Sequence, residues 1–108
     1  MYEKTAFLRL FGDSPLLRVM DFLMVNEEFD YSMTDIAKLS GVGYATLKLF
    51  WPLLEQENVV TLTRVVGRAK MYTLNFSNPI VKKFKEFYWE TVKNGVRATA
   101  KQKIVAKN

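Results

Sequence analysis

Three cations stand within seven residues at positions 64–70: Arg64, Arg68 and Lys70, with Gly67 among them and no acid in the stretch. A guanidinium is always charged and forked, so this grouping suits phosphate oxygens better than proton transfer. The flanking runs Val59-Val60-Thr61-Leu62-Thr63 and Lys70-Met71-Tyr72-Thr73-Leu74 are rich in β-formers and predict two strands. Between them, residues 64–69 read as a basic hairpin with Gly67 at its tip. A merely solvated charged hairpin is the alternative.

A second group, Tyr44, Ala45, Thr46 and Lys48, opens a predicted helix from about Tyr44 to Glu57. At about 100° per residue, Leu47, Phe50, Trp51 and Leu54 share its core face, while Ala45, Lys48, Leu49 and Pro52 point away. That outward face holds no Arg, Asn or Gln for a bidentate contact to guanine or adenine. Lys48 has the reach for a guanine or a phosphate, Ala45 suits a thymine methyl, and Tyr44 or Thr46 can hydrogen-bond a phosphate. The competing readings make Tyr44 a packing residue and exposed Leu49 part of a protein contact. Pro52 is expected to kink the helix and turn Leu53 and Leu54 onto the core, with Trp51 as a core anchor.

Catalytic equipment is nearly absent. The 108 residues include no Cys and no His. Disulfides, zinc ribbons, iron–sulfur clusters, thiol nucleophiles and Ser-His-Asp triads are therefore excluded, and no metal or cofactor is expected. The remaining Asp, Glu and Lys form no site-like grouping in the sequence, so the expectation is not an enzyme. No apolar run approaches the roughly 18 residues of a membrane span, and no signal-peptide pattern opens the chain. A soluble, cytoplasmic protein with no membrane partner is expected.

The net charge of +5 is unevenly spread. Residues 1–60 sum to −4 and residues 61–108 to +9, with Glu86 and Glu90 the only acids in the second part. Such asymmetry points to an electrostatic footprint for an anionic partner.

The elements that must position these groups follow from local signals. Residues 5–11 fit either a short helix stopped by Gly12 or a strand. Ser14-Pro15 is an N-cap followed by proline at the first helical position, and Leu16, Val19, Met20 and Leu23 form its buried stripe. Phe29-Asp30-Tyr31 alternates as a very short strand would. Ser32 and Asp35 have capping-box spacing and begin a helix to about Leu39, and Gly41-Val42-Gly43 forces a turn. Asn78-Pro79 launches a last helix with Ile80, Phe84, Phe87 and Val92 as its apolar row. Residues 93–108 carry five positive and no negative side chains and are expected to fray into a tail.

Between Met33 and Pro52, Ile36, Ala37, Gly41, Val42, Leu47 and Phe50 occupy the positions typical of a helix-turn-helix, with Ser40 a mild departure. Ala37 permits close helix approach, and Gly41 tolerates a left-handed turn. With the basic hairpin, residues 12–92 resemble the winged helix-turn-helix transcription regulators of the MarR/ArsR type, found in archaea and bacteria. The resemblance implies a mainly α fold with a small antiparallel β-hairpin: a three-helix core, a wing and a C-terminal helix.

It further implies sequence-specific binding of double-stranded DNA by a homodimeric transcription regulator. The second helix of the motif would lie in the major groove, with the wing on the backbone or minor groove. Metal sensing by Cys and His is not carried over, because this chain has neither. The expected domain spans residues 1–95, with a basic tail over 96–108. Phe84, Phe87, Tyr88 and Trp89 encircle more of the last helix than one domain should hide, so they are the expected dimer interface. The alternative function is a winged-helix protein–protein interaction module of transcription or replication machinery.

Overall fold

The computed structural model describes residues 4–106, with side chains through residue 98. Five helices and one hairpin follow the order α1 (Ala6–Phe11), α2 (Pro15–Val25), α3 (Met33–Ser40), α4 (Tyr44–Gln56), β1 (Val60–Val66), β2 (Ala69–Leu74) and α5 (Pro79–Ala106). None of these helices is long and apolar enough to cross a membrane.

The helix starts are written in the local chain. The Ser14 hydroxyl accepts from Leu17 N–H ahead of α2, and the Ser32 hydroxyl accepts from Asp35 N–H ahead of α3. At the end of α3, Gly41 adopts φ 73°, ψ 26°. Val42 N–H reaches Ala37 C=O at 2.9 Å and Gly41 N–H reaches Lys38 C=O at 3.4 Å. This is a Schellman closure, and it buries Val42 against the core. Arg18 on α2 donates to Gly41 C=O at 2.9 Å, so the tight turn between α3 and α4 is held from outside as well.

Helices α2, α3 and α4 enclose a core centred on Val19, Met24, Ile36 and Leu47, all with no exposed surface. In α2 the buried side is Val19, Phe22, Leu23 and Met24, whereas Leu16, expected in the stripe, is 40% exposed. In that first turn it is Leu17 that packs against the core instead. The helix α4 runs through Pro52 to Gln56. Leu54 packs inward but Leu53 stays exposed, contrary to the expected turn of both onto the core. Leu53 lies well off the Leu47–Trp51–Leu54 line at the helical pitch, and the proline does not bring it round.

The hairpin pairs Val60 with Leu74 through Val66 with Ala69, with an irregularity between Leu62 and Arg64. The strands run further than the sequence indicates, and only Gly67-Arg68 forms the turn. Gly67 takes φ 61°, and Arg68 is not among the positive-φ residues, which is the pattern of a type II′ hairpin. The expected short strand at residues 29–31 reduces to one antiparallel bridge: Tyr31 and Tyr72 exchange hydrogen bonds of 3.0 and 2.8 Å. Trp51, fully buried, meets Tyr72 edge-on at 5.2 Å and couples α4 to β2.

The undecided segment at 5–11 is a helix, capped by Thr5 and ended by Gly12. Its placement against α5 changes the reading of that helix. Phe7 contacts Phe84, Phe87 and Tyr88, and Phe11 contacts Phe87. Tyr88 is 1% exposed within its own chain and has no surface to offer a second copy; Phe84 is half-buried. Ile80, expected in the apolar row, is exposed, and Val81 takes the buried place. Phe87 and Trp89 keep substantial exposure. The helix also continues to Ala106, where a frayed tail was expected from residue 93.

Candidate nucleic-acid interface

One side of the molecule is built from the outward face of α4 and the hairpin. The α3–α4 turn sets Tyr44 at the first position of α4, with Ala45, Lys48 and Leu49 exposed behind it and Thr46 half-buried. The Lys48 ammonium lies 5.5 Å from the Tyr44 ring centroid, a cation–π contact that holds the charge near the helix start.

Trp51 and the Tyr31–Tyr72 bridge hold the hairpin base beside this helix. As a result Tyr44, Arg68 and Lys70 line one shallow cavity of about 270 Å³, with Ser32 and Thr34 from the start of α3 on its rim. Two cations and four hydroxyl-bearing residues, Tyr72 included, thus line a common space from three parts of the fold, and no carboxylate lines it. Such a space accepts a phosphate oxygen and repels nothing anionic. Gly67 sits at the exposed hairpin tip, next to Arg68.

Arg64 is placed differently from its neighbours in sequence. Its Nε donates to Asp30 Oδ2 at 2.9 Å and its Nη2 to Asp30 Oδ1 at 3.0 Å. The Thr63 hydroxyl donates to the same carboxylate at 2.5 Å. This forked pair ties β1 to the loop before α3, so Arg64 is already matched by a counter-charge. Nothing in the local sequence marks Asp30 as the partner of Arg64. The alternation at Phe29-Asp30-Tyr31 was the one signal that this loop lies against a strand.

The Arg64 and Thr63 hydrogen bonds hold the Asp30 carboxyl at about 2, below its ordinary 3.8. A depressed folded value means that the clasp stabilises the hairpin above that ordinary value, and that this contribution is lost as pH falls toward about 2. In an NMR titration from about pH 5 to 2, the Arg64 Nε–H resonance should therefore shift with Asp30 protonation. The Asp30→Asn protein should show no such step; an identical step in that variant would assign it to another group.

No protein-family model and no curated protein sequence matches the chain. Solved structures do. A mutant of ZitR from Lactococcus lactis in apo form superposes with a TM-score of 0.64 at 16% identity, covering 93% of this chain and 82% of that one. The adhesin competence repressor AdcR from Streptococcus pyogenes gives 0.61 at 20%, covering 93% and 81%. Sso10a-2, a DNA-binding protein from Sulfolobus solfataricus, gives 0.51 at 15%, covering 82% and 93%.

The fold is a winged helix-turn-helix. In its terms α3 and α4 form the helix-turn-helix, α4 takes the position of a recognition helix and β1–β2 that of the wing. The sequence-predicted residues therefore divide. Tyr44, Ala45, Thr46, Lys48, Gly67, Arg68 and Lys70 lie along the recognition helix and the far half of the wing. Arg64 is engaged at the other edge by Asp30.

Proposed function

We propose that this winged helix is a non-enzymatic, cytoplasmic transcription regulator that binds double-stranded DNA sequence-specifically as a homodimer. The recognition helix enters the major groove, and the wing lies on the backbone or minor groove. The observation that carries this reading is the convergence of Tyr44, Arg68 and Lys70 on one cavity without a carboxylate, one helical turn from Lys48. ZitR, whose fold this chain shares, has also been solved in complex with DNA. Residues 1–95 are the DNA-binding and dimerisation unit in this reading, and 96–108 a basic extension. The exposed Phe11–Phe87 pair, 5.3 Å between centroids, with Leu10 beside it, supports a second copy docking across α1 and α5.

Arg68→Ala tests the wing. Binding to a site selected from a random duplex pool should weaken by about 1–3 kcal/mol if the guanidinium reads bases, and by less if it meets only phosphate. Thermal unfolding should be unchanged, because the wing tip is exposed. Unaltered affinity would remove Arg68 from the interface.

A protein-interaction module is the second reading, favoured by Leu49, 84% exposed, and Leu53, 59% exposed, on the recognition helix. Failure to bind any duplex DNA at low salt would put it first.

A further inference from the structure

We propose that the recognition helix reads thymine C5-methyl groups through Ala45 and Leu49, so that the preferred DNA is A·T-rich at the major-groove positions beneath them. This rests on the DNA-binding reading above and names the chemistry of the site.

The argument starts from what the outward face offers. Leu49 is the most exposed of the large apolar side chains among the described residues, at 84%. Ala45, one i,i+4 step before it, is exposed on the same line, and Leu53 flanks them at the next step. No Arg, Asn or Gln stands between them, so Lys48 is the one long hydrogen-bond donor on this stretch and the rest of the face is apolar.

The surroundings say what kind of molecule the face meets. Lys48 adjoins it on the same outward face, and on the flank that Tyr44 occupies Arg68 and Lys70 line the cavity described above. An apolar ridge with cations along one flank fits a polyanion that carries apolar groups. Among base edges in the major groove only thymine presents one, its C5-methyl. Guanine and cytosine edges present polar atoms that a leucine side chain would strip of water without replacing a hydrogen bond. An A·T pair has polar edge atoms too, so what Leu49 distinguishes is a pair that offers the methyl from one that does not.

The spacing agrees. Residues four apart on a helix lie about 6 Å apart along its axis, close to two base-pair steps at about 3.4 Å each. Arg68 adds the same preference from the other groove, since A·T tracts narrow the minor groove and deepen its negative potential there.

The test uses the full-length protein and duplexes of about 20 base pairs, two helical turns. The probes are alternating A·T, the same duplex with deoxyuridine for every thymidine, alternating G·C, and G·C with 5-methylcytosine. Deoxyuridine removes the major-groove methyl and leaves the minor-groove edge intact. Affinity should fall about fourfold for each contacted methyl removed, as expected for burying one CH₂-sized group. Methylating cytosine should raise affinity for G·C.

Leu49→Ala should shrink the thymine–uracil difference with unchanged melting, because the side chain contacts solvent. Equal affinity for the thymine and uracil duplexes, or a difference that Leu49→Ala leaves unchanged, overturns the proposal and leaves DNA binding standing. Binding to none of the four duplexes overturns the DNA reading together with this one, and assigns the apolar ridge to a protein partner.

Discussion

Replacing Tyr88 by Ala is expected to cost about 3–5 kcal/mol of stability, the range for truncating a buried aromatic side chain. Tyr88 packs against Phe7, Phe84 and Trp89 and is 1% exposed. Its hydroxyl donates to Asp21 Oδ1 at 2.8 Å, and the Thr5 hydroxyl donates to the same oxygen at 2.6 Å. Asp21 is itself 1% exposed, so these donors, from α5 and from the cap of α1, satisfy a carboxylate that α2 carries into the interior.

Tyr88→Phe keeps the ring and withdraws one donor from that carboxylate, which should cost about 1–3 kcal/mol. Urea denaturation of the two variants separates the packing from the hydrogen bond; a Tyr88→Phe protein as stable as the wild type would show that the hydroxyl contributes nothing. Phe87→Glu should behave differently. Phe87 is 47% exposed, so its replacement leaves the fold intact and releases monomers if a second copy covers the Phe11–Phe87 pair. Sedimentation of the wild type as a monomer at high concentration would refute the dimer.

The affinity for duplex DNA is expected to fall steeply with salt. In the proposed dimer each copy presents Lys48, Arg68 and Lys70 to DNA, while the Arg64 charge is matched by Asp30. A dimer then neutralises about six phosphates, and the slope of log K against log salt is about −5, from about −0.9 per phosphate. Raising salt from about 50 to 200 mM should weaken binding about 10³-fold. Counting Arg64 as free would give a slope near −7. The measured slope thus reports whether the Asp30 clasp persists on DNA, and a slope near zero would mean that the basic surface does not meet phosphate.

Local chemistry determined much of this protein. Ser14, Ser32 and Gly41 mark helix ends because the groups they satisfy or the angle they adopt lie within a few residues along the chain. The apolar spacing of Leu47, Trp51 and Leu54 orients α4 for the same reason, and with α4 oriented, Ala45, Lys48 and Leu49 must face outward. The cation cluster at 64–70 and the strands around it were equally legible, including Gly67 at the turn.

Only the tertiary structure decided the rest. The amphipathic pattern of α5 allowed Ile80 and Phe87 or their neighbours Val81 and Tyr88 to face inward, and the fold buried the second pair, with Tyr88 set against Phe7 of α1 and Asp21 of α2. The local pattern at residues 5–11 left α1 itself open between helix and strand. Arg64 looked equivalent to Arg68 because both are bare cations in sequence. Asp30, 34 residues earlier, reaches one and not the other only after the loop before α3 pairs with β2. Periodicity and caps act over one or two turns of chain, whereas burial of a particular flank and neutralisation of a particular charge are set by which distant segment folds against it.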